Sequence, residues 1–584
     1  MDTYTLSAPL AQALATAPQH KNGAELLIET LLSLGVDTVF GYPGGAVLPL
    51  YDALYSQPQL RHVLVRHEQA AVHAAQGYAR TTGRVGVVFV TSGPGMSNTT
   101  TGLLDSLCDS IPVLCISGQV ATTVIGTQAF QECDALGISK SVTKWNAQVR
   151  DVRELVPMLR HAYAMTQSGR PGPVLLDLPK DVQFALHAQQ EEDDAAVEPV
   201  VQKSAALDMD AIWQAAGLLA RAKKPVLYGG GGLINSGVAA CEAFTKLATR
   251  TGAPCTLTLM GLGAFPASNP QWLGMLGMHG TLEANLAMHN ADVILCAGAR
   301  FDDRVTGELK SFCPHAQIIH IDVDPSSIHK IVKADVGIAS DCALALDALN
   351  DALSTYPLDT SRLEAWWQCI EEWRAKDSLK FVERPQTIVP QQLMRRLQHA
   401  MNGKDAIVST DVGQHQMWAA QHLQFDRPYR WLTSGGAGTM GYGLPAAIGA
   451  QIAHPQKLVV CVSGDASILM NIQELSTAVQ HRTPVKVVLS NNGYMGMVRQ
   501  WQELNHGGRY SHSYTEALPD FVAVARGFGW RAERVSDPKE LDAALQTCLA
   551  SDGPYFLDVR VSAQENCYPM IPAGKGHHEM LLGK

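Results

Sequence analysis

Charge is scarce in this chain. Asp, Glu, Lys and Arg make up 17% of its 584 residues, against about 25% in an average globular protein. Disorder and coiled coil both demand more charge than this, and a collagen repeat is equally absent. Basic blocks are missing too: no five consecutive residues are basic and the net charge is −10, which argues against nucleic-acid binding by phosphate neutralisation. The twelve cysteines are scattered without a C-x-x-C pair, so they read as small hydrophobes in a reducing compartment, not as a disulfide or zinc framework. No apolar run reaches 18 residues, the length that would suggest a membrane-spanning helix. Residues 1–20 hold no Lys or Arg and so lack the basic end of a signal peptide or transit peptide. These absences leave a soluble, cytoplasmic, multidomain protein as the expectation.

What is abundant is apolar surface: 46% of the residues are hydrophobic, enough for large cores and subunit interfaces over about three or four domains. Apolar runs such as Val85–Val90, Pro112–Ser117 and Pro173–Leu178 alternate with alanine-rich amphipathic stretches. Continuous hydrophobicity of that kind marks parallel strands covered on both faces. The same alternation returns at Pro225–Tyr228, Cys255–Thr258, Asp292–Ala297 and Gln317–Asp322, and again at Ala406–Val408, Leu458–Val462, Lys486–Leu489 and Tyr555–Val559. The fold expected is therefore α/β, with three doubly wound parallel-sheet domains. Their expected bounds are 21–187, 205–363 and 388–561. A tail at 1–20, an acidic linker at 188–204, a helical connector at 364–387 with three tryptophans, and a tail at 562–584 complete the division.

The strongest chemical signal lies in the third unit. Leu458–Val462 runs into Ser463-Gly464-Asp465-Ala466-Ser467, and the next strand ends in Asn491-Asn492-Gly493-Tyr494. From Asp465 to Asn492 is 27 residues, about one helical crossover between neighbouring parallel strands. Both polar residues then fall at strand carboxyl ends, where doubly wound sheets bind ligands. A carboxylate, an amide oxygen and a backbone carbonyl form a hard, incomplete site suited to Mg²⁺ that also holds a phosphate. The competing reading is a helix N-cap at Asp465 and a turn at Asn492-Gly493. Just upstream, Gly436-x-Gly438-x-x-Gly441 matches a dinucleotide fingerprint, leaving a nicotinamide-dependent oxidoreductase open.

In the first unit, Arg66-His67-Glu68-Gln69 opens an alanine-rich helix at Ala70–Arg80, with alanines at 70, 71, 74, 75 and 79. Such a face lets a neighbouring helix approach closely and could enclose Glu68 in an apolar interface that raises its pKa. Alternatively Glu68 is an acid favourably placed in a first helical turn. The glycine turns Gly41–Gly45 and Ser92–Gly95 each follow a strand. In the middle unit, Arg300 and Arg304 could grip a pyrophosphate or pair with Asp302, Asp303 or Glu308 on the surface.

As a set these residues resemble the thiamine-diphosphate-dependent enzymes, and among them the acetohydroxyacid (acetolactate) synthases, over about residues 21–584. The motifs that carry the likeness fall in order: Val39–Ala46, Arg66–Gln69, Ile125–Glu132, Ser168–Pro173, Gly298–Arg304, Asp411–Trp418, Gly438–Gly441, Gly464-Asp465 with Asn492, and Gly496–Trp501. The resemblance implies domains that bind, in order, the coenzyme's pyrimidine, FAD, and the diphosphate with Mg²⁺. It implies decarboxylation of pyruvate and transfer of the two-carbon unit to pyruvate or 2-oxobutanoate, giving 2-acetolactate or 2-aceto-2-hydroxybutyrate for branched-chain amino acids. Glu68 would activate the aminopyrimidine. Gly45, Phe130, Gln131 and Lys180 would line the substrate space and its entrance.

By the same likeness Val412, Gln414, His415, Gly464, Ala466 and Ser467 would hold the coenzyme, Met440 its bend, and Asp465, Asn492 and the Tyr494 carbonyl the Mg²⁺. Met497 would touch coenzyme and second substrate, and Trp501, with Arg300, would select that substrate. FAD would bind through Arg170, Gly280, Arg300, Asp322 and Asp341. A homodimer or dimer of dimers is implied, with a possible small regulatory subunit. Gln128, Met96-Ser97 and Gly493-Tyr494-Met495 depart from the family pattern. The segment Cys567–Gly574 resembles one that closes over the site, and His577-His578 beyond it read as exposed tail. Pyruvate oxidase and glyoxylate carboligase are the nearer alternatives in this family, and a scaffold without activity is a third class; Glu68 speaks against the carboligase.

Overall fold

The computed structural model describes residues 20–188 and 207–583; the expected linker at 188–204 and all but the last residue of the tail at 1–20 lie outside them, save Ala188. Three six-stranded sheets, each wholly parallel, form the core. The first runs Arg61–Leu64, Thr38–Gly41, Gly86–Val90, Val113–Gln119, Val174–Pro179, Trp145–Gln148. The third runs Trp431–Leu432, Ala406–Thr410, Leu458–Gly464, Lys486–Asn491, Tyr555–Arg560, Arg531–Val535. Counted within each domain, both have the same order, 2-1-3-4-6-5. The middle sheet differs: Trp272–Met275, Cys255–Leu257, Pro225–Gly229, Val293–Ala297, Gln317–Asp322, Val336–Ala339 is order 3-2-1-4-5-6, that of dinucleotide-binding domains.

Interior strands such as Gly86–Val90, Val113–Gln119 and Val293–Ala297 are buried at every residue, which is why they read as unbroken apolar runs. A short antiparallel pair, His20–Asn22 with Leu186–Ala188, ties the two ends of the first domain together. The predicted connector is helical only over Glu364–Arg374. Asp377 turns left-handed at φ 45° just beyond it. Two of its tryptophans anchor the helix to the middle domain, Trp366 Nε1 donating to the Pro225 carbonyl at 3.1 Å and Trp367 Nε1 to that of Gly252 at 3.0 Å.

The first and third domains meet through two helices, Glu68–Thr82 and Gly443–Ala453. His67 caps the former, its Nδ1 accepting from the Gln69 amide at 3.1 Å, and Gly83 ends it at φ 72°. A Cβ on Gly77 would lie 2.0 Å from the Ala446 carbonyl oxygen, and one on Gly449 1.8 Å from that of Ala74. The two backbones are thus in contact, and the alanine face expected to admit a neighbouring helix packs against the third domain of the same chain. All twelve cysteines are unpaired thiols. Among the described residues no helix is long and apolar enough to cross a membrane.

Candidate functional site

In the third sheet the strand order reverses between Ala406–Thr410 and Leu458–Gly464, so the loops leaving these strands flank a crevice. From the first come Val412, Gln414 and His415; from the second, Asp465, Ala466 and Ser467. Ser467 Oγ donates to the Val412 carbonyl at 2.9 Å, tying the two loops. Gly464 sits so close to the His415 ring that a Cβ would lie 2.8 Å from it, and one on Gly496 would lie 2.1 Å from Gln414 Oε1. His415 Nε2 and Gln414 Oε1 are buried with no hydrogen-bond partner. Burial holds His415 down at about 3, so the ring is neutral and can offer one N–H. Buried polar atoms left without a partner, beside glycines where a Cβ would block close approach, fit the expected diphosphate.

Strand Lys486–Asn491 neighbours Leu458–Gly464, and it brings Asn492 beside Asp465. Asp465 Oδ2 accepts from the Gly493 amide at 2.5 Å and Oδ1 from Ala466 at 2.8 Å, while Asn492 Oδ1 accepts from the Tyr494 amide at 3.1 Å. Burial lifts Asp465 to about 6. Among the described residues no three His, Cys, Asp or Glu side chains gather as a metal site. One carboxylate with an amide and a carbonyl oxygen fits Mg²⁺ that draws its remaining ligands from phosphate and water. Met497 and Trp501 follow on helix Gly496–Asn505.

The glycine fingerprint at 436–441 follows the edge strand Trp431–Leu432, with Ala406–Thr410 between it and the strand Leu458–Gly464 that leads to Asp465. A nicotinamide unit would need it after the central first strand, so that alternative fails on topology. The loop is instead held from the first domain by two carboxylates that sequence reading missed. Asp105 accepts from Thr439 Oγ1 at 3.0 Å, from Gln76 at 3.0 Å and from Ser434 Oγ; Asp109 accepts from the amides of Gly435 at 2.9 Å and Gly436 at 2.7 Å. Burial, with Asp105 nearby, lifts Asp109 to about 6. Asp411 completes the hold, accepting from the Gly441 amide at 2.7 Å. Two acids four residues apart in an otherwise uncharged helix, Thr100–Asp109, were the available signal.

The first-domain candidates also leave strand carboxyl ends. Gly45 follows Thr38–Gly41, Glu68 follows Arg61–Leu64, Phe130 and Gln131 follow Val113–Gln119, and Lys180 follows Val174–Pro179. Glu68 is half-buried and Oε2 accepts from Asn98 Nδ2 at 2.9 Å. Its charge, after burial, holds up the Tyr51 hydroxyl. Phe130 is 88% exposed. Gln131 packs its backbone on Gly93, where a Cβ would lie 2.8 Å from the Gln131 carbonyl oxygen.

A cavity of about 650 Å³ opens between all three domains, within the range of cofactor sites. It is lined by Arg170, Arg300, Arg304, Asp322 and Asp341, by the middle sheet's switch-point residues Gly231, Gly232 and Gly298, and by Val412, Gly438, Met497 and Trp501. Glu68 is not among its walls. Arg170 is braced by the carbonyls of Leu107 and Cys108, both at 3.1 Å. Burial raises Asp322 to about 6. Arg304 stands 3.8 Å from Asp303 in an exposed ion pair. Gly280 is not part of the lining; it packs on the backbone, a Cβ there meeting the Met275 oxygen at 2.4 Å, and its neighbour His279 faces the space. Guanidiniums opposite acids and glycines at a 3-2-1-4-5-6 switch point suit the pyrophosphate and hydroxyls of a dinucleotide such as FAD.

The end of the chain folds back over the middle domain. His577, expected as exposed tail, is 1% exposed: its ring fits edge-on to Phe312 and Nε2 lies 2.6 Å from the Val305 carbonyl. His578 is exposed, as expected.

Comparison with known proteins agrees with this layout. Residues 21–138 match the thiamine pyrophosphate enzyme N-terminal TPP binding domain, 212–349 the central domain, and 411–559 the C-terminal TPP binding domain. The chain is 49% identical over 575 residues to the acetolactate synthase isozyme 3 large subunit of Escherichia coli, covering 96% of this chain and 99% of that one. It is 46% identical over 570 residues to the acetolactate synthase large subunit of Haemophilus influenzae, covering 96% and 98%. A similar relation, 46% over 564 residues, holds for the Escherichia coli isozyme 2 large subunit, covering 96% and 99%. With all three domain types in order and identity sustained from end to end, the chain belongs to the acetolactate synthase large-subunit family of thiamine pyrophosphate enzymes.

Proposed function

We propose that this chain is the catalytic subunit of an acetolactate synthase: it decarboxylates pyruvate and joins the two-carbon unit to pyruvate or 2-oxobutanoate, in the cytoplasm, for branched-chain amino-acid biosynthesis. The observation that carries the reading is the meeting of Asp465 and Asn492 beside the His415–Gly464 cradle, in a chain that also presents Glu68 at a strand end. Bound thiamine diphosphate would supply the electron sink for decarboxylation. Asp465, Asn492 and the Tyr494 carbonyl would hold Mg²⁺, and Val412, Gln414, His415, Gly464, Ala466 and Ser467 the diphosphate, with Met440 supporting the coenzyme's bend. With the coenzyme bound, a carboxyl oxygen of Glu68 would hydrogen-bond the pyrimidine nitrogen and pass a proton to and from it. FAD would sit as a structural cofactor among Arg170, Arg300, Asp322 and Asp341.

Gly45, Phe130, Gln131 and Lys180 would border the substrate entrance. As the resemblance to thiamine-diphosphate enzymes implies, a second copy is proposed to bring its Glu68 to this cradle, making a dimer the smallest active unit. The relatives' designation as large subunits supports a smaller regulatory partner. The test is acetolactate formation from pyruvate with each of thiamine diphosphate, Mg²⁺ and FAD withheld in turn. Product with all three and none without the first two is expected; no product under any combination sinks the reading.

Trp501 and Met497, one turn apart on one helix and both on the cavity wall, are proposed to favour the larger second substrate. With pyruvate and 2-oxobutanoate in competition, Trp501→Leu should shift the product ratio toward 2-acetolactate by about tenfold or more, the scale of one methylene's discrimination. An unchanged ratio would remove Trp501 from that role.

A further inference from the structure

Helix Glu474–Gln480 of the third domain lies against the segment that leads into Glu68. Glu474 is wholly buried. The Arg66 amide donates to both its oxygens, at 3.0 and 3.2 Å, and Thr477 Oγ1 donates to Oε2 at 2.6 Å. The same helix takes the Arg66 side chain, Nε donating to Ser476 Oγ at 3.2 Å and Nη2 to Gln480 Oε1 at 2.5 Å. One residue further on, His481 Nε2 accepts from the Leu64 amide at 3.0 Å. Residues 64–66, between the end of strand Arg61–Leu64 and the first turn of the Glu68 helix, are therefore held through their backbone by another domain.

Packing alone does not explain a carboxylate here. Burial lifts Glu474 to about 7, and an apolar side chain would fill the space without that penalty. What a carboxylate adds is two acceptor oxygens aimed at main-chain N–H groups whose position sets where the next side chain starts.

We propose that Glu474 is a positioning residue: it clamps the backbone at Arg66 and so fixes the Glu68 carboxyl at the distance its proton exchange requires. This rests on the role given to Glu68 above. A displacement of about 1 Å at such a group can cost on the order of 100-fold in rate. The variants are Glu474→Gln, which keeps the shape but turns one acceptor into a donor, and Thr477→Val, which removes the support of Oε2 without touching the carboxylate; Thr477→Ser should restore it.

Glu474→Gln is expected to lower kcat by about 10- to 100-fold with the coenzyme KM shifted by less than about threefold. Amide exchange followed by mass spectrometry on the chain without coenzyme should be faster at residues 64–67. In a Glu68→Gln background the same change should alter kcat by less than about twofold, because the clamp acts only through that acid. Undiminished kcat in both Glu474→Gln and Thr477→Val, or an equal loss with and without Glu68, overturns the clamp. Unchanged turnover in Glu68→Gln alone would instead overturn the acid's role, and the clamp's purpose with it.

Discussion

Glu68→Gln is expected to lower kcat by roughly 10²- to 10⁴-fold, the range for removing a positioned acid–base group, while leaving the chain folded. The replacement keeps the volume and can still accept from Asn98 Nδ2, now at 2.9 Å from Oε2. What it loses structurally is a negative charge in a first helical turn, worth about 0.3–1 kcal/mol. That is small beside the stability of a domain, about 5–15 kcal/mol, and the His67 cap and the alanine face are untouched. The effect on turnover therefore far exceeds the effect on folding, and steady-state kinetics alongside thermal unfolding separates the two. If the acid and the cradle come from different copies, mixing Glu68→Gln with Asp465→Asn chains should recover about a quarter of wild-type activity, since half the dimers are mixed and each holds one intact site. Recovery of nothing from mixed dimers would place both residues in one copy's site.

Gly449→Val should abolish the folded, soluble chain or lower its apparent melting temperature by more than any site substitution. Its Cβ would stand 1.8 Å from the Ala74 carbonyl oxygen and 2.7 Å from the carbonyl carbon. Ordinary overpacking costs about 1–3 kcal/mol because side chains move aside. Here the obstacle is backbone within a helix, so relief requires the first and third domains to separate along their shared helix pair. Gly77→Val, aimed at Ala446 from the opposite side, should behave alike. Gly527→Ala is the control: nothing lies within 4 Å of its Cβ position, and in a helix the exchange gains up to about 1 kcal/mol. Thermal unfolding of the three variants distinguishes a contact of two backbones from a general intolerance of added bulk.

Strand legibility followed position in the sheet. The strands recognised from the sequence are the interior ones, covered on both faces and mostly apolar. Arg61–Leu64, Trp145–Gln148, Trp272–Met275, Val336–Ala339, Trp431–Leu432 and Arg531–Val535 were not recognised, and every one is a sheet edge. An edge strand shows polar residues to solvent, as Arg531 and Arg534 do, or is too short to set a period, as Trp431–Leu432 is, so the continuous apolar signal is missing. The strand order, and with it the middle domain's difference from the other two, was accordingly out of reach.

The candidate site divides the same way. Asp465 and Asn492 could be paired from their spacing because one crossover fixes both the chain length between adjacent strands and the end at which they emerge. Asp105, Asp109 and Glu474 could not be connected to the site, since each acts on a segment hundreds of residues away across a domain boundary. By itself the sequence determined the three α/β units and the strand ends that carry polar residues, both consequences of local periodicity and spacing, while the family was legible through the resemblance of its ordered motifs. Only the tertiary structure decided which loops those residues hold, where His577 goes and why Gly77 and Gly449 are glycine. These depend on the meeting of surfaces distant in the chain, which no local pattern encodes.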